Sequence, residues 1–172
     1  MEASPVARAV VRLGIVGGGQ LGRMLALSAH SLGVRVTCLE AGGSASPAGQ
    51  VADAIDGALS NVEALRELAS RSDVLTVEIE HVDVDALESV AAAANIPVHP
   101  SPATLRLIQD KYAQKCFFRD AAVPLGQFID IPSEAALKSA IEVSLMSRRP
   151  ARYDVAHTHS PPSPTHRTSG FL

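Results

Sequence analysis

The chain of 172 residues has very few aromatic side chains, and this shortage disfavours nucleic-acid binding. It has no tryptophan, aromatic residues make up 3% of the sequence, and the first of them is Tyr112. Lysine and arginine number 15 against 18 aspartates and glutamates, so no cationic excess attracts a phosphate backbone. Because single-strand nucleic-acid modules stack bases on aromatic rings, we expect no nucleic-acid partner.

Cysteines and long apolar runs are also scarce. Cys38 and Cys116 are the two cysteines, and neither CxxC spacing nor a histidine cluster accompanies them. A structural zinc site therefore has no ligand set, and we interpret both residues as buried free thiols. No apolar stretch approaches the roughly 20 residues that span a bilayer, and the first residues lack the pattern of a secretory signal. We therefore expect a cytoplasmic protein with no membrane partner.

The sequence does have a regular alternation of two kinds of segment. Hydrophobic residues make up 47% of it, enough for one domain with a sizeable core. Short apolar runs predict strands over residues 12–16, 34–40, 51–55, 73–77 and 96–99. Apolar residues at helical spacing predict helices over residues 20–32, 61–70, 83–94 and 103–121. This order predicts an α/β fold, a mainly parallel sheet with helices on both faces.

The alternation ends near residue 143. Residues 144–172 are rich in proline, serine and histidine and show no apolar periodicity, so we expect a disordered C-terminal tail. Three of the six histidines lie there, His157, His159 and His166. They have no cysteine or carboxylate partners at ligand spacing, so metal binding is the less favoured alternative.

The first candidate site is the glycine-rich turn after the first predicted strand. Residues 17–22, Gly-Gly-Gly-Gln-Leu-Gly, satisfy the G-x-G-x-x-G pattern between a strand and a helix. Glycines let the backbone turn tightly, and the first amides of the helix can bind a pyrophosphate, a phosphate or a carboxylate. Gln20 adds a neutral amide that can donate and accept hydrogen bonds. A tight turn without a ligand is the alternative.

A second candidate is the pair of carboxylates after the fourth predicted strand. Glu78 and Glu80 lie two residues apart, so an extended backbone places them on one face. Ligands of an open α/β sheet bind beyond the carboxyl ends of its strands, where paired carboxylates can hold an amine. The alternative is that both glutamates are solvated at the rim of the sheet.

A third candidate is a pair of lysines on the last predicted helix. Lys111 and Lys115 lie at positions i and i+4, hence on the same side of that helix. Either could meet a nucleotide phosphate. A solvated charged face is the alternative.

Three segments in series resemble one family of enzymes. Residues 17–24, 76–82 and 108–115 are similar, in this order, to the N-terminal part of N5-carboxyaminoimidazole ribonucleotide synthase. That family is the ATP-grasp carboxylase of purine biosynthesis, which is also the ATPase part of phosphoribosylaminoimidazole carboxylase. The resemblance extends over about residues 10–142. It implies a Rossmann-like pre-ATP-grasp domain that binds a ribonucleotide.

The resemblance also implies a reaction, cofactors and site residues. The family uses ATP to activate bicarbonate, and the amine of 5-aminoimidazole ribonucleotide accepts the carboxylate; ATP and Mg²⁺ are the cofactors and the enzyme is a homo-oligomer. The residues that match its ribonucleotide-binding positions are Gly19, Gln20, Leu21, Glu78 and, more weakly, Glu80. Glu78 matches a carboxylate that faces the substrate amine, and Lys111 matches a basic residue that contacts ATP.

The resemblance divides the chain into three regions. They are a pre-ATP-grasp domain over residues 10–132, the start of an ATP-grasp region over residues 133–143, and an aberrant or disordered tail over residues 144–172. Since the family continues into domains that hold ATP and magnesium, we expect a truncated carboxylase with no complete catalytic site and no turnover by itself.

Two alternatives remain open. Glu40 ends the second predicted strand, 18 residues after Gly22, where dinucleotide-binding folds carry an acidic residue for ribose hydroxyls. An NAD(P)-binding oxidoreductase domain is therefore one alternative. The other is a non-catalytic partner of a full-length carboxylase.

Overall fold

The computed structural model describes residues 10–126, 128–146 and 154–156, and for residues 143–146 and 154–156 it describes the backbone alone. The chain forms two compact units, of which the first ends at Arg106 and the second begins at Leu107.

The first unit is built on a parallel sheet. Its strands are β1 (Arg12–Val16), β2 (Arg35–Glu40), β3 (Asp53–Asp56), β4 (Val74–Val77) and β5 (Val98–His99). Its helices are α1 (Gln20–Ser31), α2 (Val62–Ser70) and α3 (Val84–Ala94), with a 3₁₀ turn at Gly43–Ala45, and it ends within α4 (Pro102–Gln109). The strand order is β3-β2-β1-β4-β5, and every neighbouring pair is parallel. The predicted α/β fold is therefore confirmed.

The winding of this sheet changes direction at its centre. After β1 the chain adds β2 and β3 on one side, and then crosses to add β4 and β5 on the other. The connections that follow β1 and β4 therefore leave the sheet in opposite directions. In open α/β sheets this divergence opens a crevice beyond the carboxyl ends of the two strands.

Apolar side chains fill both faces of the sheet. On β1, Ile15 packs with Ala26, Val36 and Cys38, while the next residue, Val16, packs into the larger cluster with residues of α2 and α3. This alternation follows from the two-residue period of a strand. The centre of β1 is apolar, as expected for a strand that is buried on both faces of the sheet. Burial on both faces fixes the position of β1 in the sheet.

Helix α1 forms where its apolar spacing predicts it, but it buries its small residues. The buried positions are Gly22, Ala26 and Ala29. Leu21 and Met24 are 62% and 63% exposed. Small residues let a helix backbone approach the sheet closely, whereas large ones would hold it away. The spacing therefore predicts the helix correctly, and packing distance decides which face is inward.

Strand β3 begins two residues later than the sequence predicts. The amides of Val51 and Ala52 both donate to the carbonyl of Ala48, at 3.0 Å each. These turn bonds engage the backbone that would otherwise extend the strand. The strand therefore starts at Asp53.

The second unit begins in the last turn of α4, and its first complete helix is one that the sequence predicted as part of a longer helix. Its elements are α5 (Lys111–Asp120), β6 (Phe128–Asp130), α6 (Glu134–Met146) and β7 (Asp154–Ala156), with β6 and β7 parallel. The single helix predicted over residues 103–121 was wrong, because α4 ends at Gln109. The carboxylate of Asp110 accepts the amides of Tyr112 and Ala113, at 3.0 and 2.9 Å, and so caps a new helix.

The predicted disordered tail falls largely outside the described residues. Within residues 144–172, α6 continues to Met146 and Asp154–Ala156 forms β7; residues 147–153 and 157–172 are not described. The three histidines of this segment belong to the latter range. Over the described part of the chain, none of the helices has the length and apolar character needed to cross a membrane.

The two cysteines differ in burial, which corrects the prediction that both are buried. Both thiols are free. Cys38 is buried on β2, whereas Cys116 is half-buried on α5, a helix with no fully buried residue. Burial raises the pKa of the Cys38 thiol above its ordinary value. A raised pKa lowers the thiolate fraction at neutral pH, and the thiolate is the reactive form.

We therefore expect the native chain to react with a thiol reagent at Cys116 alone. The second equivalent should react only after denaturation, and the Cys116→Ser variant should lose the fast phase. The check is the stoichiometry of modification at pH 7, followed by absorbance and by intact mass. Rapid modification of both thiols in the folded chain would contradict the burial of Cys38.

Candidate functional site

The glycine-rich turn predicted from the sequence lies at the carboxyl end of β1, between β2 and β4. The amide of Gly17 donates to the carbonyl of Leu39 at 3.0 Å, and the amide of Glu78 donates to the carbonyl of Val16 at 2.9 Å. These two bonds continue the parallel ladders beyond the ends of the strands. The turn and Glu78 are therefore held side by side by backbone hydrogen bonds, at the crevice described above.

The carboxylate of Glu78 lies against the turn. A Cβ on Gly17 would come within 2.8 Å of Glu78 Oε2, and a Cβ on Gly19 would lie 3.4 Å from Oε1. Gly17 also has a φ of +108°, in the region that favours glycine. The turn thus needs glycine at Gly17 both for its backbone conformation and for the close approach of this carboxylate.

The start of α1 offers backbone amides without a side-chain cap. Its N-cap is Gly19, which supplies no side chain, and none of the described residues caps it otherwise. The starts of α2, α3 and α5 are capped by the side chains of Asn61, Asp83 and Asp110. Gln20 and Leu21 are exposed at this end of α1. The first amides of α1 can therefore donate hydrogen bonds to a bound anion, and Gln20 lies beside this position.

Glu40 meets the turn from the side opposite Glu78. Its Oε2 accepts the amide of Gly18 at 2.8 Å, and its Oε1 accepts the amide of Ala41 at 3.1 Å. A Cβ on Gly18 would lie 2.6 Å from the Cβ of Glu40. The oxidoreductase alternative assigned Glu40 to ribose hydroxyls, whereas the structure directs both of its oxygens to backbone amides.

A further support of the turn was missed in the sequence. The amide of Ala48 donates to the carbonyl of Gly18 at 2.9 Å, and a Cβ on Gly18 would lie 3.1 Å from Ser46 Oγ. Ser46 Oγ donates to the carbonyl of Gly43 and accepts the amide of Gly49, which folds this segment into a compact loop. This segment is rich in glycine, serine and proline, and none of the motifs in the sequence indicates what it contacts.

The structure places Glu80 in the segment after β4 and Lys111 at the start of α5. Strand β4 ends at Val77, and residues 78–80 form a bend. The strand periodicity that placed Glu78 and Glu80 on one face therefore does not apply, and the carboxylate of Glu78 lies against Gly17 and Gly19. Lys111 is the first residue of α5 in the second unit and is exposed. In the same helix, Lys115 Nζ lies 5.8 Å from the centroid of the Phe128 ring.

The arrangement can bind a ligand with two kinds of group. The amides of α1 and the side chain of Gln20 suit an anion or another acceptor. The carboxylate of Glu78, a few ångströms from Gly17 and Gly19, suits an amine or another N–H donor. A small molecule with a phosphate and an amine would satisfy both.

Comparison with known proteins identifies relatives of this chain. Residues 10–109 match the family described as the ribonucleotide synthetase preATP-grasp domain. A phosphoribosylaminoimidazole carboxylase of Ogataea methanolica is 46% identical over 127 residues, which are 72% of this chain and 23% of that protein. The N5-carboxyaminoimidazole ribonucleotide synthase of Pseudomonas aeruginosa is 36% identical over 131 residues, which are 76% of this chain and 35% of that protein.

A solved structure agrees with the sequence matches. The N5-carboxyaminoimidazole synthase of Aspergillus clavatus, in complex with ADP and 5-aminoimidazole ribonucleotide, is similar with a TM-score of 0.67 and 38% identity. The match covers 78% of this chain and 36% of that one. The chain thus spans about a quarter to a third of the length of these relatives.

Proposed function

Because the chain belongs to the ribonucleotide synthetase pre-ATP-grasp family, we propose that it provides the ribonucleotide-binding half-site of an ATP-dependent carboxylase of purine biosynthesis. The substrate of that reaction is 5-aminoimidazole ribonucleotide, and bicarbonate is the second substrate. The observation that carries the proposal is the carboxylate of Glu78, held against the glycine turn beside the uncapped start of α1.

The ribonucleotide has the two groups that this site suits. In the proposed complex, Glu78 accepts a hydrogen bond from the exocyclic amine, while Gln20 and the first amides of α1 bind acceptor groups of the same molecule. Orientation of the amine matters because its nitrogen must form the new bond to the carboxyl carbon of the activated bicarbonate, whose bond to the phosphate oxygen breaks as phosphate leaves, and the nitrogen must then lose a proton. A fixed carboxylate directs one N–H toward itself and so aims the lone pair, which is catalysis by positioning.

Glu80 and Leu21 have lesser parts in this proposal. Leu21 is exposed beside Gln20 at the start of α1 and can cover an apolar part of the ligand. Glu80 lies in the bend after β4 and is half-buried. We assign the amine to Glu78 because its oxygens lie close to Gly17 and Gly19, whereas both oxygens of Glu40 accept backbone amides.

The family resemblance implies ATP and Mg²⁺ as cofactors of the complete enzyme. Residues 10–126, 128–146 and 154–156 contain no group of three or more histidine, cysteine, aspartate or glutamate side chains that could hold a metal ion. Lys111 stays the residue that we propose to contact ATP. ATP activates bicarbonate in the proposed reaction, and no step of that activation is assigned to these residues. Homo-oligomer formation, a cytoplasmic location and the three-region division of the chain remain predictions.

Calorimetric titration of the 172-residue chain tests the proposal. We expect 5-aminoimidazole ribonucleotide to bind, NAD not to bind, and ATP with bicarbonate to give no phosphate release in the presence of the ribonucleotide. Binding of NAD without binding of the ribonucleotide would instead support the dinucleotide alternative. No heat with the ribonucleotide, from a chain shown by circular dichroism to be folded, would overturn the proposed half-site.

A further inference from the structure

Glu40 and Ala48 hold Gly18 at both of its peptide groups. The N–H of Gly18 donates to Glu40 Oε2 at 2.8 Å, and its C=O accepts the amide of Ala48 at 2.9 Å. The two partners come from different segments, the end of β2 and the loop that follows it. The middle glycine of the turn is therefore fixed in orientation, although glycine is the most flexible residue.

These two bonds determine where the neighbouring amide points. A peptide group is planar and trans, so the N–H of Gly19 points opposite to the C=O of Gly18. Since that carbonyl faces Ala48, the N–H of Gly19 is directed away from the loop. The bond to Glu40 engages the Gly18 amide within the protein, so the amides from Gly19 onward are the ones left for a ligand.

We propose that Glu40 is a positioning residue that holds the glycine turn in its ligand-binding conformation through the amide of Gly18. This role rests on the proposed function, in which the turn and the start of α1 bind the ribonucleotide. Glu40 acts on the ligand only through the turn, in contrast to the ribose-binding acid of dinucleotide sites. Glu40 also lies very close to the turn, because a Cβ on Gly18 would be 2.6 Å from the Cβ of Glu40. This close approach explains why the position holds a glycine.

Two substitutions separate positioning from direct contact. Glu40→Gln keeps an oxygen that can accept the Gly18 amide but removes the charge, whereas Glu40→Ala removes the acceptor. A positioning role therefore predicts rescue by glutamine. A charged contact with the ligand predicts that both variants lose affinity alike.

The first measurement is hydrogen exchange of the Gly18 amide by NMR in the full chain without ligand. We expect exchange about 10-fold faster in Glu40→Ala, since the hydrogen bond is lost, and a rate within about 3-fold of the unsubstituted chain in Glu40→Gln, which keeps an acceptor for the Gly18 amide. Asp56→Ala is the matched control, because Asp56 accepts the neighbouring Gly42 amide at 2.9 Å. It should change the exchange of Gly42 and leave that of Gly18 unchanged.

The second measurement is the affinity for 5-aminoimidazole ribonucleotide. We expect Glu40→Ala to bind about 10-fold more weakly and Glu40→Gln to bind within about 3-fold of the unsubstituted chain. Equal weakening in both variants, or unchanged Gly18 exchange in Glu40→Ala, would overturn the positioning role. If Glu40→Ala does not fold, Glu40→Asp replaces it, because its shorter side chain should also release the Gly18 amide.

The two proposals fail in distinguishable ways. If Gly18 exchange responds as expected but no variant binds the ribonucleotide, the proposed substrate is wrong and the contact between Glu40 and the turn stands. If the unsubstituted chain binds the ribonucleotide and Gly18 exchange does not respond, the half-site stands and the role of Glu40 is wrong.

Discussion

Glu78→Ala is expected to weaken binding of 5-aminoimidazole ribonucleotide by about 10- to 100-fold, the range that corresponds to a lost hydrogen bond to a charged group. The carboxylate lies against Gly17 and Gly19, where no other described side chain approaches the turn as closely from the β4 side. The backbone amide of Glu78 donates to the carbonyl of Val16 on β1, and this hydrogen bond is kept when the side chain is removed. The loss should therefore appear in affinity and not in thermal stability.

Calorimetry with two further variants identifies the cause of this loss. Glu78→Gln keeps the size of the side chain and removes its charge, so intermediate binding would show that charge contributes beyond shape. Glu63→Ala is the control for removal of a surface carboxylate, because Glu63 lies on α2 and pairs with Arg66. Undiminished affinity in Glu78→Ala would mean that the amine is bound elsewhere.

Gly14→Ala is expected to destabilise the first unit strongly. Gly14 is buried in the middle of β1, and a Cβ there would lie 2.4 Å from Ser72 Oγ and 2.5 Å from Leu75 Cδ2. Ser72 is itself fixed by a 2.7 Å hydrogen bond to the carbonyl of Leu68, so it cannot move aside freely. Overpacking of this kind costs about 1–3 kcal/mol. Since about 1 kcal/mol changes Tm by 4–8 °C in a domain of this size, we expect Tm to fall by roughly 10 °C.

Thermal unfolding followed by circular dichroism checks this expectation. Gly126→Ala is the matched control, because a Cβ on Gly126 has no atom within 4 Å. That variant should keep Tm or raise it slightly, since alanine restricts the unfolded chain. A Tm of Gly14→Ala equal to that of Gly126→Ala would show that β1 and the segment before β4 are less closely packed than the structure indicates.

The fold could be predicted because its signals are local and periodic. Short apolar runs alternate with segments whose apolar residues have helical spacing, and this alternation predicts a parallel sheet covered by helices. The glycine turn and Glu78 follow two of these runs, so both were expected at the carboxyl ends of strands. The exposed face of α1 was not predictable in this way, because Leu21 and Met24 satisfy the helical spacing as well as Gly22 and Ala26 do. Only the distance between α1 and the sheet distinguishes these two faces.

The role of Glu40 was missed for a different reason. An acidic residue at the end of the second strand fits both a ribose-binding site and a support for the turn, and sequence spacing does not separate the two. The break before Lys111 was also missed, although aspartate is a favoured N-cap residue. The apolar pattern continues past Asp110, so the pattern alone predicts one helix across it.

The assembly of the site from distant segments has a consequence for folding. Glu40 and the glycine turn belong to one continuous stretch, β1-α1-β2, whose contacts are close in sequence. Glu78 joins them only when β4 pairs with β1 through the longer connection. A chain that has formed the first three elements alone would present the turn without the carboxylate. A ligand that needs both the turn and the carboxylate stabilises only molecules in which β4 has paired with β1. Its presence during synthesis would therefore shift the folding equilibrium toward that paired state by mass action.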